Sequence, residues 1–303
     1  MNPKCIIDGE KAVFLLKKDG FDEYICPKCD LSFVYPQPTA EWLKDEVYSY
    51  ESGYQANKRA DLTKMRITKR YRKILDFLRS KKKSGSLLDI GCSSGQFMYW
   101  ARERGFKCSG IEINKRTADL ALQNNFEVFQ GFLGECLYPK KSFDIVYLGD
   151  VIEHVNDPST VVREAISFLK DDGIIVFSTP NMDCFWSKIT LILFKLFGIP
   201  WAAATPPHHL FQFNFNNLGK LVAEYNFKSI YSIFTRPSSL KYELGSLHLY
   251  KYFKNNKNIS SFIFMVTSFA IYIFTYYLNI FFSVFNKKDF QMVVFYKKLN
   301  IHI

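Results

Sequence analysis

Between residues 85 and 180 the chain alternates short, β-rich apolar runs with stretches whose apolar positions recur at helical spacing. That alternation is the pattern of a parallel sheet with helical crossovers. It predicts strands at Leu87–Ile90, Cys108–Ile113, Glu127–Gln130, Phe143–Leu148 and Ile174–Ser178. Further on, Asn214 stands where an N-cap would precede a helical run of Leu218, Leu221, Val222 and Tyr225. Asn226, a residue that tolerates a left-handed backbone, suits its end. Two later runs, Lys228–Phe234 and Gln291–Tyr296, would bring the sheet to seven strands.

The flanks follow other patterns. Residues 1–36 hold three cysteines among short apolar runs and a turn at Asp19-Gly20, which reads as a small β module. Thr39 to Tyr54 is aromatic and acidic, and a helix is expected there. Lys58 to Lys83 predicts a basic amphipathic helix, with Leu62, Met65, Tyr71, Ile74, Leu75 and Leu78 at helical spacing. Its charges would form either an anion-binding ridge or a solvated face. The division is therefore 1–38 for the β module, 39–84 for a helical linker and 85–303 for the α/β domain. That domain carries hydrophobic additions at 184–207 and 258–286. In the second addition, Asn258 to Asn286 runs 29 residues without a charge, long enough to cross a bilayer. Ser261, Ser268, Thr275, Asn279, Ser283 and Asn286 fall on one side of such a helix at about 100° per residue. The first addition has Lys188 and Lys195 seven apart and Trp186 and Trp201 near its ends.

Composition adds two facts. Net charge is +11, from 40 basic and 29 acidic residues, which favours anionic partners: nucleic acid, phosphorylated substrates or acidic lipid. The seven cysteines, an odd number, with a polar N-terminus, point to a reducing cytoplasm and free thiols.

The candidate chemistry begins at Leu87-Leu88-Asp89-Ile90-Gly91-Cys92-Ser93-Ser94-Gly95. A nucleotide cofactor needs a strand that ends in a tight turn, where glycines let the backbone approach and a helix N-terminus follows. An acid after the next strand should bind the ribose hydroxyls, and Glu112 stands there, 21 residues after Gly91. A dehydrogenase would show Gly-x-Gly-x-x-Gly, whereas this turn reads Asp-x-Gly-x-Ser-x-Gly. It resembles the first motif of class I S-adenosylmethionine-dependent methyltransferases, a Rossmann-like fold. Phe143–Pro158, Gly173–Asn181 and His209–Asn214 resemble the later motifs of that superfamily. The resemblance spans about residues 85–235 and is closest to the small-molecule branch of ubiquinone-type O-methyltransferases and glycan-pathway enzymes. It implies S-adenosylmethionine as cofactor, held by Asp89, Gly91, Ser93, Gly95, Glu112, Gly131, Phe132, Gly149 and Asp150. Gln130-Gly131-Phe132 departs from the pattern, standing where an acid often contacts the adenine.

The lack of Asn-Pro-Pro-Tyr after the fourth strand sets aside adenine-N6 enzymes, and the lack of a Pro-Cys nucleophile sets aside pyrimidine-C5 enzymes. Oxygen, nitrogen or an acidic carbon of a smaller acceptor remains: a sugar, a glycolipid intermediate or a quinone-like ring. The base candidates are His209 and His208, and His154. In zinc-ribbon sugar C-methyltransferases a Glu-His pair occupies the stretch where His208-His209 stands. In the ubiquinone-type enzymes a divalent metal can sit where this chain has Asp150, Glu153 and His154; otherwise these side chains brace the next helix. Cys26-Pro27-Lys28-Cys29 has the spacing of one zinc knuckle. Cys5-Ile6-Ile7-Asp8 would be its partner, with Asp8 in place of a second thiol. The whole resembles the N-terminal zinc ribbon of glycan-cluster methyltransferases, either holding zinc or folded around apolar residues alone. The apolar additions beside a basic helix suggest peripheral contact with an anionic membrane, at its inner face, or a lid over the acceptor. An RNA methyltransferase and a non-catalytic scaffold are the competing readings. The basic residues gather in one amphipathic helix and the additions are apolar, which argues against nucleic acid.

Overall fold

A computed structural model describes residues 2–47, 61–199, 201, 203–235, 259–283 and 291–299. Its centre is a seven-stranded sheet of β4 (Gly85–Ile90), β5 (Phe106–Glu112), β6 (Glu127–Gln130), β7 (Phe143–Gly149), β8 (Leu169–Pro180), β10 (Phe227–Thr235) and β11 (Gln291–Lys298). The order is β10-β11-β8-β7-β4-β5-β6. Pairs from β8 through β6 are parallel, and β11 lies antiparallel to both its neighbours. The α/β, Rossmann-like expectation is met, with all seven predicted strands in place. After β4 the chain winds outward through β5 and β6, then returns to the other side of β4 as β7. The carboxyl ends of β4, β5 and β7 thus meet at a topological switch point, where such sheets bind ligands. Helices α3 (Gln96–Arg102), α4 (Lys115–Gln123), α5 (Pro158–Phe168) and α7 (Phe215–Ala223) follow four of the strands or loops. Central strands are apolar on both faces because helices cover both: Val146, Leu148, Val176 and Phe177 are fully buried. Each such side chain contributes about 1.5–3 kcal/mol. Asn214 caps α7 by accepting from the Asn217 N–H at 2.8 Å, Asn217 reciprocates, and Asn226 takes φ +63° three residues past the helix.

The N-terminal strands β1 (Val13–Lys18), β2 (Phe21–Ile25) and β3 (Ser32–Val34) form an antiparallel sheet, completed by β9 (Phe211–Gln212). The fourth strand therefore comes from the loop beyond β8, which carries His208 and His209. Cys26, Leu31 and Phe33 share one apolar cluster with Leu148, Phe177 and Phe213. The ribbon-like module and the larger sheet are packed as one core.

The long basic helix is shorter than its periodicity predicts. Asp61 accepts from Thr63 N–H to cap a 3-10 turn at Leu62–Lys64, the chain is extended at Met65, and Thr68 caps α2 (Lys69–Lys81). Two cap side chains reset the helix. Leu62 and Met65 pack with Met98 and Phe126, while Ile74, Leu75 and Leu78 join a different cluster. Residues 58–60 lie outside the described residues. The aromatic, acidic segment forms α1 (Ala40–Trp42) and a π turn at Leu43–Val47, and its remainder, 48–54, is likewise outside them. The additions form α6 (Phe185–Phe197) and α8 (Ile259–Ser283), which pack on each other.

Candidate active site

A cavity of about 670 Å³ opens at the switch point, a volume suited to a nucleotide-sized ligand. Its floor is the β4 turn. Gly91 takes φ +75°, and a Cβ there would sit 2.5 Å from Val151 Cγ2. Gly95 takes φ +85° with Phe126 at 2.8 Å from its would-be Cβ, and Ser93 is left-handed at φ +50°. The turn is pinned from the neighbouring strand. Glu112 Oε2 accepts from the Ser93 N–H at 2.7 Å, and Oε1 from the Asn114 N–H at 2.8 Å. These bonds fix the carboxylate plane while each oxygen keeps a lone pair for a ligand.

Asp89 and Glu112 are both buried and both line the cavity. Burial, reinforced by the Glu112 charge, pushes the Asp89 carboxyl well above its ordinary range. Burial also raises Glu112, opposed by its backbone hydrogen bonds. A desolvated carboxylate pair is relieved by a cation and by hydroxyl donors. Gly131, Phe132 and Gly149 line the same cavity. A Cβ at 149 would lie 2.4 Å from the Tyr147 hydroxyl. Gln130 lines a neighbouring cavity with Ile113 and Lys115.

Asp150 is placed differently from the metal grouping with Glu153 and His154 that the sequence suggests. At φ +57° it turns its carboxylate to Arg70, whose two terminal nitrogens reach Oδ1 at 3.1 Å and Oδ2 at 2.9 Å. Gln291 Nε2 donates to Oδ1 at 2.6 Å and Ser178 Oγ donates at 3.2 Å. Asp150 is thus committed to a bidentate ion pair. Arg70, part of the basic helix whose charges suggest either an anion-binding ridge or a solvated face, is a wall of the site. Nothing in a Lys/Arg-rich helix marks which arginine turns inward.

His209 takes the place beside Glu153 and His154 that Asp150 was expected to fill. One donor atom from each of the three lies within 4.8 Å of the others. Glu153 is 1% exposed, and among the described residues its carboxylate oxygens have no hydrogen-bond partner, with His154 Nε2 4.0 Å from Oε1. Burial pushes its pKa well up, with the Asp150 charge adding to it. Its backbone carbonyl accepts from Leu210 N–H and Phe211 N–H, which ties the histidine loop to this corner. His154 lines the cavity, and its Nδ1 lies 2.5 Å from the His208 carbonyl oxygen. A carbonyl only accepts, so Nδ1 carries the proton and the lone pair of the neutral ring is on Nε2. Burial lowers the pKa of His154, and burial with the neighbouring histidines lowers that of His209 well below the usual value. His209 does not line the cavity; its ring packs edge-on to His154 at 4.8 Å. His208 is exposed.

A second cluster lies in the N-terminal module. Cys5 Sγ and Cys29 Sγ are 3.6 Å apart, and Cys26 Sγ is 3.4 Å from Asp8 Oδ1. All four donor atoms fall within 4.8 Å of one another. A zinc tetrahedron with Zn–S bonds of about 2.3 Å has edges of roughly 3.8 Å, so the set fits one ion. Hydrogen bonding from Cys29 pulls the Cys5 thiol down to about 6 and pushes that of Cys29 up.

The switch-point turn, pinned by the buried Glu112 of the neighbouring strand, and the α/β sheet have the form of a methyltransferase fold. A family model described as a methyltransferase domain matches residues 62–232, more than half of the chain, and the chain belongs to that family. Among relatives, it is 31% identical to the ubiquinone biosynthesis O-methyltransferase of Pelagibacter ubique over 104 residues, covering 33% of this chain and 43% of that protein. With the same-named protein of Idiomarina loihiensis it shares 29% over 102 residues, 31% of this chain and 42% of the relative. The match thus spans less than half the length of these relatives. The fold is shared with the 1,6-didemethyltoxoflavin-N1-methyltransferase of Burkholderia thailandensis, solved with S-adenosylhomocysteine bound. That structure covers 95% of this chain and 99% of its own, with a TM-score of 0.53 and 14% identity.

Proposed function

We propose that this protein transfers a methyl group from S-adenosylmethionine to a hydroxyl oxygen of a small or lipid-linked acceptor, a quinone-like ring or a sugar. The observation that carries this reading is the buried Asp89–Glu112 pair beneath a glycine turn. S-adenosylmethionine brings two cationic centres and a ribose diol to such a pair, and its sulfonium supplies the electrophilic methyl. Glu112 would accept from the ribose hydroxyls with the lone pairs that Ser93 and Asn114 leave. Asp89 would face the cationic methionine end, and Gly91 would let the backbone approach. Names of the relatives support oxygen as the acceptor atom. His154 is assigned as base: Nε2 takes the acceptor's proton, with Nδ1 held on the His208 carbonyl. His209 braces that ring, which moves the catalytic role from His209, the first candidate in the sequence, to His154. Transfer of label from methyl-tritiated S-adenosylmethionine to catechol-type phenols or to sugar nucleotides tests the reaction class. His154→Ala should cut turnover roughly 10²–10⁴-fold with cofactor affinity unchanged. Activity should rise with pH through a pKa below the usual 6.5, because the neutral ring is the active form. Near-normal turnover in His154→Ala would remove it as base.

The orphaned Glu153 oxygens favour one second reading, in which Glu153, His154 and His209 hold a divalent cation that would polarise the acceptor hydroxyl. Loss of activity in chelator, restored by Mg²⁺ or Zn²⁺, separates it from the metal-free base. We also propose one structural zinc on Cys5, Asp8, Cys26 and Cys29.

A further inference from the structure

Helix α8 is built inside out. It is long and apolar enough to cross a membrane, over Ile259–Phe281, with only 22% of its most apolar stretch buried. Yet four of its polar residues are buried. Ser261, Ser268, Thr275 and Asn279 are 6%, 1%, 4% and 4% exposed. They lie on the inward side, the side on which Tyr272 and Tyr276 pack at 5.6 and 6.0 Å on Trp186 of α6. The opposite face is aromatic and aliphatic, with Phe262, Val266 and Phe274 from 47% to 68% exposed. On α6, Leu196 and Phe197 are 69% and 60% exposed. A soluble helix buries its apolar stripe and wets its polar one; along the Ser261, Ser268, Thr275 and Asn279 stripe α8 does the reverse. Exposed Thr267 returns its hydroxyl to the Ile263 carbonyl at 2.8 Å, so this outward hydroxyl is satisfied within the helix.

In the sequence, charge brackets the stretch that forms α8. Lys251, Lys254 and Lys257 precede the uncharged stretch, Lys287 and Lys288 follow it, and Lys188 and Lys195 are exposed on α6. Topology then sets the mode of contact. Both ends of the excursion return to one place in the sheet, where Thr235 of β10 pairs with Gln291 of β11. A span would strand one end of α8 across the bilayer. The return from Ser283 covers eight residues, at most about 29 Å, against a hydrocarbon core of about 30 Å, and carries Lys287, Lys288 and Asp289. The other connection, 236–258, carries six charges: Arg236, Lys241, Glu243, Lys251, Lys254 and Lys257. Neither recrosses hydrocarbon without burying charge.

We propose that α6 and α8 form a monotopic membrane element that lies in one leaflet of an anionic phospholipid bilayer, apolar faces in the acyl region and Lys188 and Lys195 of α6 at the headgroups. The element is directly joined to the site. α6 begins five residues after β8 ends at Pro180, and its return loop carries His208 and His209. The proposal stands apart from methyl transfer, because it concerns where the protein sits.

Flotation of the full-length protein with phosphatidylcholine vesicles, with and without phosphatidylglycerol, tests it. The expected result is flotation with the anionic vesicles, weakened by high salt but not abolished. Leu196→Glu/Phe274→Glu should partition at least about tenfold more weakly. Leu137→Glu, at a residue 91% exposed elsewhere, should float like wild type. Circular dichroism and thermal melting establish that the double variant is folded. Wild-type protein that stays with the soluble fraction overturns the proposal. So does a folded double variant that floats unchanged. A dimer in size-exclusion chromatography that Phe274→Glu dissociates, with no flotation, would assign the face to a second copy and equally overturn it.

Discussion

Glu112 has two tasks that one substitution separates. Its carboxylate holds the Ser93 and Asn114 N–H groups at 2.7 and 2.8 Å, and in the proposed function it also receives the ribose hydroxyls. Glu112→Ala leaves both backbone donors without a partner. Cavity water can reach them, so each costs about 1 kcal/mol, the lower end for a lost buried partner. Some of that is returned, because removing the charge relieves buried Asp89, which Glu112 pushes up. A loss of roughly 1–2 kcal/mol remains, or about 2–8 °C in Tm for a domain of this size. Losing charge-assisted bonds to the ribose removes another 1.5–3 kcal/mol, so Kd for S-adenosylmethionine should rise about 10- to 150-fold. Glu112→Gln is the sharper probe. It keeps one acceptor oxygen but aims an amide N–H₂ at the second backbone donor, so it should lose affinity despite near-identical shape. Calorimetric titration of S-adenosylhomocysteine, alongside melting curves, reads both effects. Wild-type affinity in a folded Glu112→Gln protein would refute the assignment of this acid to the ribose.

Two further outcomes are expected. Metal analysis of purified protein should find at most one zinc per chain, reduced by Cys26→Ser and by Cys29→Ser; metal content unchanged in both variants would place any zinc elsewhere. Glu23, fully buried on β2 with only Gln212 Nε2 donating among the described residues, at 3.3 Å, is pushed up to about 8 by burial. Because the folded pKa exceeds the unfolded one, this group's contribution is fully present below about 4.5 and is lost as pH rises through 8. Glu23→Gln should therefore match wild type near pH 5 and exceed it by about 2–4 kcal/mol near pH 9 in chemical denaturation, and parallel pH profiles would refute the burial argument.

The seven strands, the Gly91 turn and Glu112 were legible in sequence because each rests on a local rule. Apolar runs specify buried strands, an Asn caps a helix, and a glycine turn after a strand needs positive φ. The Cys5, Asp8, Cys26 and Cys29 set was legible by spacing. What the sequence left open are contacts between distant segments. Arg70 reaches Asp150 across 80 residues, and its place in a charge run gives no sign of it. That pair withdraws Asp150 from the group that His209 joins. The basic helix begins at Lys69 rather than Lys58 because the Asp61 and Thr68 caps outweigh a periodicity shared by two elements. β9 completes the N-terminal sheet across 178 residues of chain, from Phe33 to Phe211, so no local pattern could foresee that the ribbon-like module and the histidine loop share a sheet. For α8, periodicity located the polar stripe, but only packing against α6 decided that the stripe faces inward and the apolar side faces out. Hydrophobic periodicity defines faces; which face is buried depends on what the rest of the chain brings against it.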